Sequence, residues 1–265
     1  MHFKNKRIWI TGASSGIGEG LAYAFAKEGA NLILSSRNAV ELNRVKNNCE
    51  GNTEIIIQTL DLEKYEELPD IVNKVLEKVD KVDILVNNGG ISQRSLVEET
   101  SIEVDKRIMD INFMGTIQLT KLLLPHLKSN HESQIVVLSS LLGKMSIPMR
   151  SAYCASKHAL HSWFEVLQME LKDQSPNISI LCPGYVKTNV SYNALQGDGE
   201  KFNKMSEGQA AGLTPEEFAD MALDTIRKKK SVAFYGGKEV LGVYLTRFFP
   251  KIFANLMKKR EFNKL

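Results

Sequence analysis

Tyr153 and Lys157 stand four residues apart in a stretch whose apolar spacing predicts a helix over Ser151–Asp173. At that separation both side chains project from one helix face. A free phenol, with a pKa of about 10, gives up its proton poorly at neutral pH. An ammonium one turn away favours the phenolate and draws that value down. Ser140 closes a strand predicted over Gln134–Ser139, 13 residues before Tyr153. Two hydroxyls converging on a carbonyl oxygen both donate to it as it becomes an alkoxide. Each residue alone also has an ordinary reading. Tyr-x-x-x-Lys recurs by chance on helices, and a serine at a strand end commonly caps the next turn.

Such proton chemistry needs a partner reagent, and the N-terminus offers a place for one. The apolar strand predicted over Arg7–Thr11 runs into Gly12-Ala13-Ser14-Ser15-Gly16-Ile17-Gly18 and then into a helix. Glycines let the backbone turn tightly and approach a pyrophosphate, while the helix N-terminus offers N–H groups and a positive dipole end. Between strand and helix, the pattern sits in the context that a dinucleotide cradle requires. A plain tight turn is one competing reading. A nucleophile elbow is another, because Gly12-Ala13-Ser14-Ser15-Gly16 fits G-x-S-x-G. The elbow expects a His-Gly-Gly run and a downstream Asp…His pair. No such run exists, and His126, His131, His158 and His161 all fall in or beside predicted helices.

Cofactor choice is read at the end of the second strand, Asn31–Ser36. NAD-binding chains usually carry an acid there, about 20 residues beyond the loop. This chain has Ser35-Ser36-Arg37. Without the carboxylate there is no repulsion, and a guanidinium pairs well with a 2′-phosphate. The pattern favours NADP(H) over NAD(H), unless Arg37 is merely a solvated residue at a helix start.

The elements that position these groups alternate along the chain. Continuous apolar strands are predicted also over Thr53–Leu60, Asp83–Asn87, Ile178–Cys182 and Val232–Tyr235. Between them lie helices over Glu19–Glu28, Ala39–Cys49, Glu63–Val79 and one long stretch, Ile102–Lys128. Thr214-Pro215-Glu216-Glu217 carries the cap and first-turn proline of another helix. Such alternation predicts an α/β fold: one Rossmann-type, doubly wound parallel sheet with helices on both faces. No composition shift divides the 265 residues, so a single catalytic domain over 1–265 is expected, with a lid at about 185–213.

The net charge of +3 is too small to argue for nucleic acid, but it is unevenly placed. From Arg227 onward there are 11 Lys/Arg against 2 Asp/Glu; the remainder has 23 against 29. Three widely spaced cysteines, Cys49, Cys154 and Cys182, form neither a disulfide framework nor a zinc pattern. No metal is expected. No apolar run reaches a membrane span, so a cytoplasmic location is expected.

These motifs together carry a family resemblance. Thr11–Gly18, Asn87-Asn88-Gly89-Gly90, Asn112, Ser139-Ser140, Tyr153-Cys154-Ala155-Ser156-Lys157 and Pro183-Gly184 make the chain resemble the short-chain dehydrogenase/reductase family over nearly its whole length. Residues 87–95, 143–148 and 153–160 are similar to one branch of it. The resemblance implies that Tyr153 exchanges the proton, Ser140 orients the carbonyl, and Lys157 holds the nicotinamide ribose and tunes Tyr153. Asn112 would hold a water linking Lys157 to solvent. Gly12, Ser14, Ser15, Gly16, Ile17 and Gly18 would carry the phosphates, with Ser36 and Arg37 on the ribose side. Asp61 and Leu62 would contact adenine. Asn88 and Gly89 would support sheet and cofactor, and Pro183, Gly184, Val186 and Thr188 would line the nicotinamide. Gly89 stands where the family commonly has alanine, a change of one small residue for another. Members of the similar branch begin with a membrane-anchoring segment, which is not expected here.

Met145, Ile147 and Pro148, with Tyr185, Tyr192 and Leu195 of the lid, are the expected substrate wall. If they line a pocket rather than fill a core, the substrate is hydrophobic; the resemblance implies a steroid-, retinoid- or quinone-like carbonyl or alcohol, and a homodimer or homotetramer. The tail at about 238–262 pairs apolar residues four apart with Lys251, Lys258, Lys259 and Arg260. It suits either docking on protein or peripheral contact with a membrane surface. The leading expectation is an NADP(H)-dependent carbonyl reductase or alcohol dehydrogenase. The alternative is a non-enzymatic NADP-binding sensor or scaffold, which would have no need of a proton donor.

Overall fold

The computed structural model describes residues 2–51, 53–172, 174–205 and 207–262. Lys264 and the Arg260 side chain, counted in the basic tail, lie outside these. The chain begins with β1 (Arg7–Thr11), α1 (Gly16–Lys27), β2 (Asn31–Ser35), α2 (Ala39–Asn48) and β3 (Ile55–Ile57). It continues through α3 (Leu68–Leu76), β4 (Ile84–Asn87), α4 (Ile102–Met109), α5 (Gly115–Lys128) and β5 (Gln134–Leu138). The last part is α6 (Ser151–Glu170), β6 (Asn177–Pro183), the short α7 (Glu207–Ala210), α8 (Pro215–Arg227), β7 (Val232–Tyr235), α9 (Leu241–Phe248) and α10 (Pro250–Phe262).

All seven strands pair in parallel in the order β3-β2-β1-β4-β5-β6-β7. The alternation of side chains along each strand splits the core between the two faces. Ile8, Ile10, Leu32 and Val136 meet Leu21 and Phe25 of α1, Leu42 of α2 and Phe218 of α8. Trp9, Leu85, Ile135 and Val137 meet Val72 of α3, Leu119 and Leu123 of α5 and Phe164 of α6. Phe25, Phe164 and Phe218 are wholly buried, each contributing roughly 1.5–3 kcal/mol of hydrophobic stabilisation. The Trp9 indole N–H keeps a partner inside this core, donating to Ser35 Oγ at 2.9 Å.

The chain winds outward through β2 and β3 on one side of β1, then crosses to β4 on the other. That reversal leaves a crevice beyond the carboxyl ends of β1 and β4, where ligands of such sheets bind. The glycine loop after β1 and Asn88 after β4 both open on it.

Three elements differ from the sequence expectation. The strand β3, at one edge of the sheet, is confined to Ile55–Ile57, which pair with Leu32–Leu34 of β2. The helix expected from Glu63 starts as α-helix only at Leu68, after a 3₁₀ turn over Tyr65–Glu67; Pro69 occupies its first turn. The long helix over Ile102–Lys128 is continuous but contains a π-turn at Asp110–Met114. There Gly115 lies against Leu62, leaving no room for a side chain.

The described residues of 185–213 are largely irregular, tied down by isolated bridges of Val186 to Leu213 and of Leu195 to Gln93 and Lys201. In the tail, Phe249 separates α9 from α10, which starts at Pro250. Val243 and Phe253 are buried, and Gly242 lies against Met145. Leu241, Phe248 and Ile252 remain exposed. No helix among the described residues is long and apolar enough to cross a membrane.

Candidate active site

A cleft of about 740 Å³ follows the switch point of the sheet. Gly12 and Gly16 take positive φ, +65° and +58°, which bends the loop around the end of β1. A Cβ on Gly12 would lie 2.8 Å from both Asn88 Nδ2 and Gly89 Cα; one on Gly16 would lie 2.9 Å from Thr188 Cγ2. Ser15 opens α1 in extended backbone, and its hydroxyl does not cap the helix. The first-turn N–H groups therefore have no side-chain cap beside the cleft, the arrangement that binds anions. Ser14, Ser15, Gly16 and Ile17 line the cleft, but Gly18 does not. It packs beneath the loop, where a Cβ would strike the Gly12 carbonyl and lie 2.5 Å from Asn88 Nδ2.

Asn88 fastens this loop to β4. Its Nδ2 donates to the carbonyls of Thr11 at 2.9 Å and Gly12 at 3.1 Å, and its own N–H donates to Thr11 Oγ1 at 3.0 Å. Gly89 N–H makes a second bond to Thr11 Oγ1, also 3.0 Å. Ser36 and Arg37 reach the cleft from the end of β2. Arg37 is exposed and has no hydrogen bond or ion pair among the described residues. Asp61 and Leu62 line the cleft beyond β3, and Asp61 Oδ1 accepts from Glu63 N at 3.1 Å. Pro183, Gly184, Val186 and Thr188 close it after β6. Arg107, which sequence reasoning passed over, also reaches the cleft while its Nε donates to Glu63 at 3.2 Å. No local motif marks it, and its partner Glu63 lies 44 residues earlier in the chain.

Ser140, Tyr153 and Lys157 meet at the inner end. The Ser140 hydroxyl donates to the Pro183 carbonyl at 3.4 Å and accepts from Leu142 N at 3.1 Å. Burial raises the Tyr153 pKa, and a side-chain hydrogen bond with Ser140 opposes the rise. Lys157 Nζ lies 5.8 Å from the centre of the Tyr153 ring and donates to the Leu138 carbonyl at 2.7 Å. Burial pushes Lys157 down to about 8. Arg150 is a further cation that lowers Tyr153, one that the four-residue spacing does not reveal. Lys157 is turned to a carbonyl, and burial disfavours its charge.

Asn112 sits in the π-turn, and its side chain is nearly saturated by protein. Its Oδ1 accepts from Ile91 N at 2.8 Å; its Nδ2 donates to the Ile91 carbonyl at 2.9 Å and to Ser156 Oγ at 3.0 Å. A Cβ on Gly90 would lie 3.0 Å from Asn112 Oδ1 and 3.7 Å from Lys157 Nζ, so this glycine spaces the two side chains. Gly90, Ile91 and Ser92 line the cleft as well, and the sequence signal for them was the run they share with Asn87–Gly89.

A second cavity of about 1010 Å³ joins the cleft at Ser140, Tyr153 and Gly184. Met145, Ile147, Pro148 and Tyr185 line it as expected from the sequence. Tyr192 and Leu195 do not. Tyr192 lies in a turn and is 44% exposed, and Leu195 faces the first cleft and packs with Val104 and Ile108. The tail supplies the missing wall: Tyr244, Phe248, Phe249 and Phe253 face the cavity. Among the described residues no cluster of His, Cys, Asp and Glu is placed to hold a metal, and all three cysteines are free thiols.

Comparison with known proteins agrees with this layout. A family model described as short chain dehydrogenase matches residues 6–198. The chain is 38% identical over 261 residues to Dehydrogenase/reductase SDR family protein 7-like of Drosophila melanogaster, covering 96% of this chain and 80% of that protein. It is also 38% identical over 263 residues to Dehydrogenase/reductase SDR family member 7B of Xenopus tropicalis, covering 96% and 84%. A short chain dehydrogenase/reductase from Burkholderia phymatum, solved in complex with NAD, superposes with a TM-score of 0.82 at 24% identity, covering 96% and 97%. The alcohol dehydrogenase of the archaeon Thermococcus sibiricus, complexed with 5-hydroxy-NADP, superposes at 0.75 with 28% identity, covering 88% and 96%.

Proposed function

The chain belongs to the short-chain dehydrogenase/reductase family, oxidoreductases on a nicotinamide-binding fold, and from that premise we propose that it is an NADP(H)-dependent enzyme interconverting a hydrophobic carbonyl compound and its alcohol. One observation carries this reading: Ser140 and Tyr153 belong at once to the wall of the glycine-loop cleft and to that of the apolar cavity. A reacting oxygen held in the cavity would lie beside the hydroxyls at the inner end of the cleft.

The residues present fit a dinucleotide. The glycine cradle has no space for Cβ atoms at Gly12 and Gly16, and the start of α1 offers N–H groups to a pyrophosphate. When bound, the nicotinamide donates or accepts the hydride. Tyr153 gives the proton to the oxygen in reduction and takes it in oxidation. Ser140 orients that oxygen. Lys157, pushed down to about 8, exchanges protons near neutral pH and is suited to restore the state of Tyr153. Because its side-chain amide is occupied, Asn112 would hold a relay water through its main chain, where the π-turn perturbs the helical hydrogen bonding.

NADP(H) is favoured over NAD(H) by the unpaired Arg37 and by the lack of an acid at the end of β2. The 5-hydroxy-NADP complex of the Thermococcus enzyme is consistent with this. Arg37→Glu is expected to lower the NADPH-over-NADH preference in kcat/KM by roughly tenfold or more, since a charge-assisted bond becomes a repulsion. An unchanged preference would remove Arg37 from cofactor choice. The decisive experiment for the reaction itself is NADPH oxidation with aliphatic, aromatic, steroid, retinoid and quinone carbonyls. No turnover with any of them would defeat the proposal.

Two associations belong to the same reading. Exposed Val166 and Met169 on α6 support a homodimer or homotetramer through the long helices, which sedimentation would reveal as a mass above that of one chain. The proposed enzyme is cytoplasmic, and its peripheral membrane contact is supported by exposed Leu241, Phe248 and Ile252 beside Lys251. The full chain is expected to float with anionic vesicles and a chain cut at Val240 to remain below. Equal flotation would rule the contact out.

A further inference from the structure

The apolar cavity beside Tyr153 is lined by two guanidinium groups, neither of which pairs with an acid among the described residues. Arg150, three residues before Tyr153, is enclosed by protein and still presents surface to the cavity. Its Nη1 donates to Ser92 Oγ at 2.8 Å and to the Gln93 carbonyl at 2.7 Å, both neutral acceptors. Arg94 lines the same cavity, its guanidinium 4.8 Å from the centre of the Phe202 ring. Neither arginine has a carboxylate partner among the described residues. Burial and then the like charge of Arg94 both push the Arg150 pKa down. Holding two such cations together without an anion is unfavourable. The lining has one carboxylate, Glu239, which sits against Gly184 and Gly236.

A structural clasp for Ser92 and Gln93 would need only a neutral donor. A planar guanidinium instead suits an oxyanion, which it binds through paired, charge-assisted bonds. We propose that Arg150 and Arg94 form an oxyanion-recognition site inside the substrate cavity, so that the substrate is an amphipathic carbonyl compound or alcohol bearing a carboxylate or phosphate. The proposal rests on the carbonyl–alcohol reading above and narrows it. The apolar part of such a molecule would lie along Met145, Ile147, Tyr244 and Phe253, with the charged group at the arginines.

The test compares three ketones of equal apolar length: a long-chain keto acid, its methyl ester and the matching keto alkyl phosphate. The wild-type protein should use one or both anions with kcat/KM at least roughly tenfold above the ester, because a site built for a hydrogen-bonding group rejects analogues lacking it. Comparing acid with phosphate identifies the group. Arg150→Gln and Arg94→Gln should each collapse the anion-to-ester ratio towards one, and Arg150→Lys should keep part of it. If Arg150→Gln does not fold, Arg94→Gln carries the comparison. Equal use of acid, phosphate and ester by the wild type, or a ratio unmoved in the variants, overturns the site and leaves the reductase reading standing. A binding measurement needs no turnover: dodecanoate or dodecyl phosphate, but not dodecanol, should raise the melting temperature of the cofactor-saturated protein. Equal shifts from all three would overturn the site independently of the reaction.

Discussion

Tyr153→Phe is expected to lower kcat by roughly 10²–10⁴-fold, the range over which a positioned proton donor acts. The substitution removes one oxygen and leaves the ring in place. Ser140 remains beside the vacated position, but its hydroxyl already donates to the Pro183 carbonyl and accepts from Leu142 N. It cannot take over delivery of the proton without giving up those bonds. Nicotinamide cofactor affinity should change little, because the loop, Asn88 and the start of α1 are untouched. Fluorescence titration of the cofactor alongside steady-state rates separates the two effects. Turnover within a few-fold of wild type would refute the assignment of Tyr153. In the oxidative direction the wild-type rate should climb as pH rises, because burial holds the phenol above its ordinary value and the phenolate is the acceptor.

Lys157→Met is expected to abolish turnover and yet stabilise the cofactor-free protein at pH 7. Burial brings Lys157 from 10.5 to about 8, which corresponds to about 3 kcal/mol against the charged form. Losing the bond to the Leu138 carbonyl returns about 1 kcal/mol of that, leaving a net gain of about 2 kcal/mol. The sign follows from proton uptake. Between pH 8 and 10.5 the unfolded chain binds the proton and the folded chain does not, so wild-type stability rises with pH across that window. The advantage of the variant is therefore full below pH 8 and fades towards pH 10.5. Thermal unfolding of both proteins at neutral and alkaline pH checks this. A variant that melts below wild type at pH 7 would mean that the buried charge of Lys157 is compensated in the fold. A gain in stability with loss of activity is the usual signature of a residue kept for function.

Much of the site was legible because its parts are local in sequence. The glycine loop is one strand–turn–helix unit, and Tyr153 and Lys157 share one helix face. Their chemistry could be read without knowing what lies opposite. Three things were not legible. Gly18 was read as part of the cradle, but its role is to let the loop carbonyl of Gly12 and Asn88 approach α1. The sequence names Asn112 as a water ligand without saying through which atom; the fold spends its amide on Ile91 and Ser156, which leaves that role to the main chain. Among the protein's own cations near Tyr153 the sequence points to Lys157, because the spacing of 153 and 157 is visible and the reach of Arg150 is not. The substrate wall shows the same limit. Met145 and Ile147 lie close to Tyr153 in sequence, whereas Tyr244 and Phe253 arrive only through the docking of α9 and α10. Tyr192 has the right side chain in the right segment, but the turn points it outward. At the level of the fold, strand periodicity located every strand of the sheet, and its edge strand was overestimated because periodicity says nothing of ladder partners.

The order of strands has a consequence for how the enzyme comes into being. β1 is registered against β4 through Ile8 and Ile84, on opposite sides of three complete crossovers. The glycine loop becomes a cradle only after that pairing, since Asn88 and Gly89 are the groups that brace it. Contacts of such long sequence separation form late and slowly, after a large loss of chain entropy. A nascent chain that has made only its first two strands and first helix thus has the signature motif but no site. Competence to bind appears together with the central pairing of the sheet, so acquisition of cofactor affinity during refolding reports the step that joins the two halves.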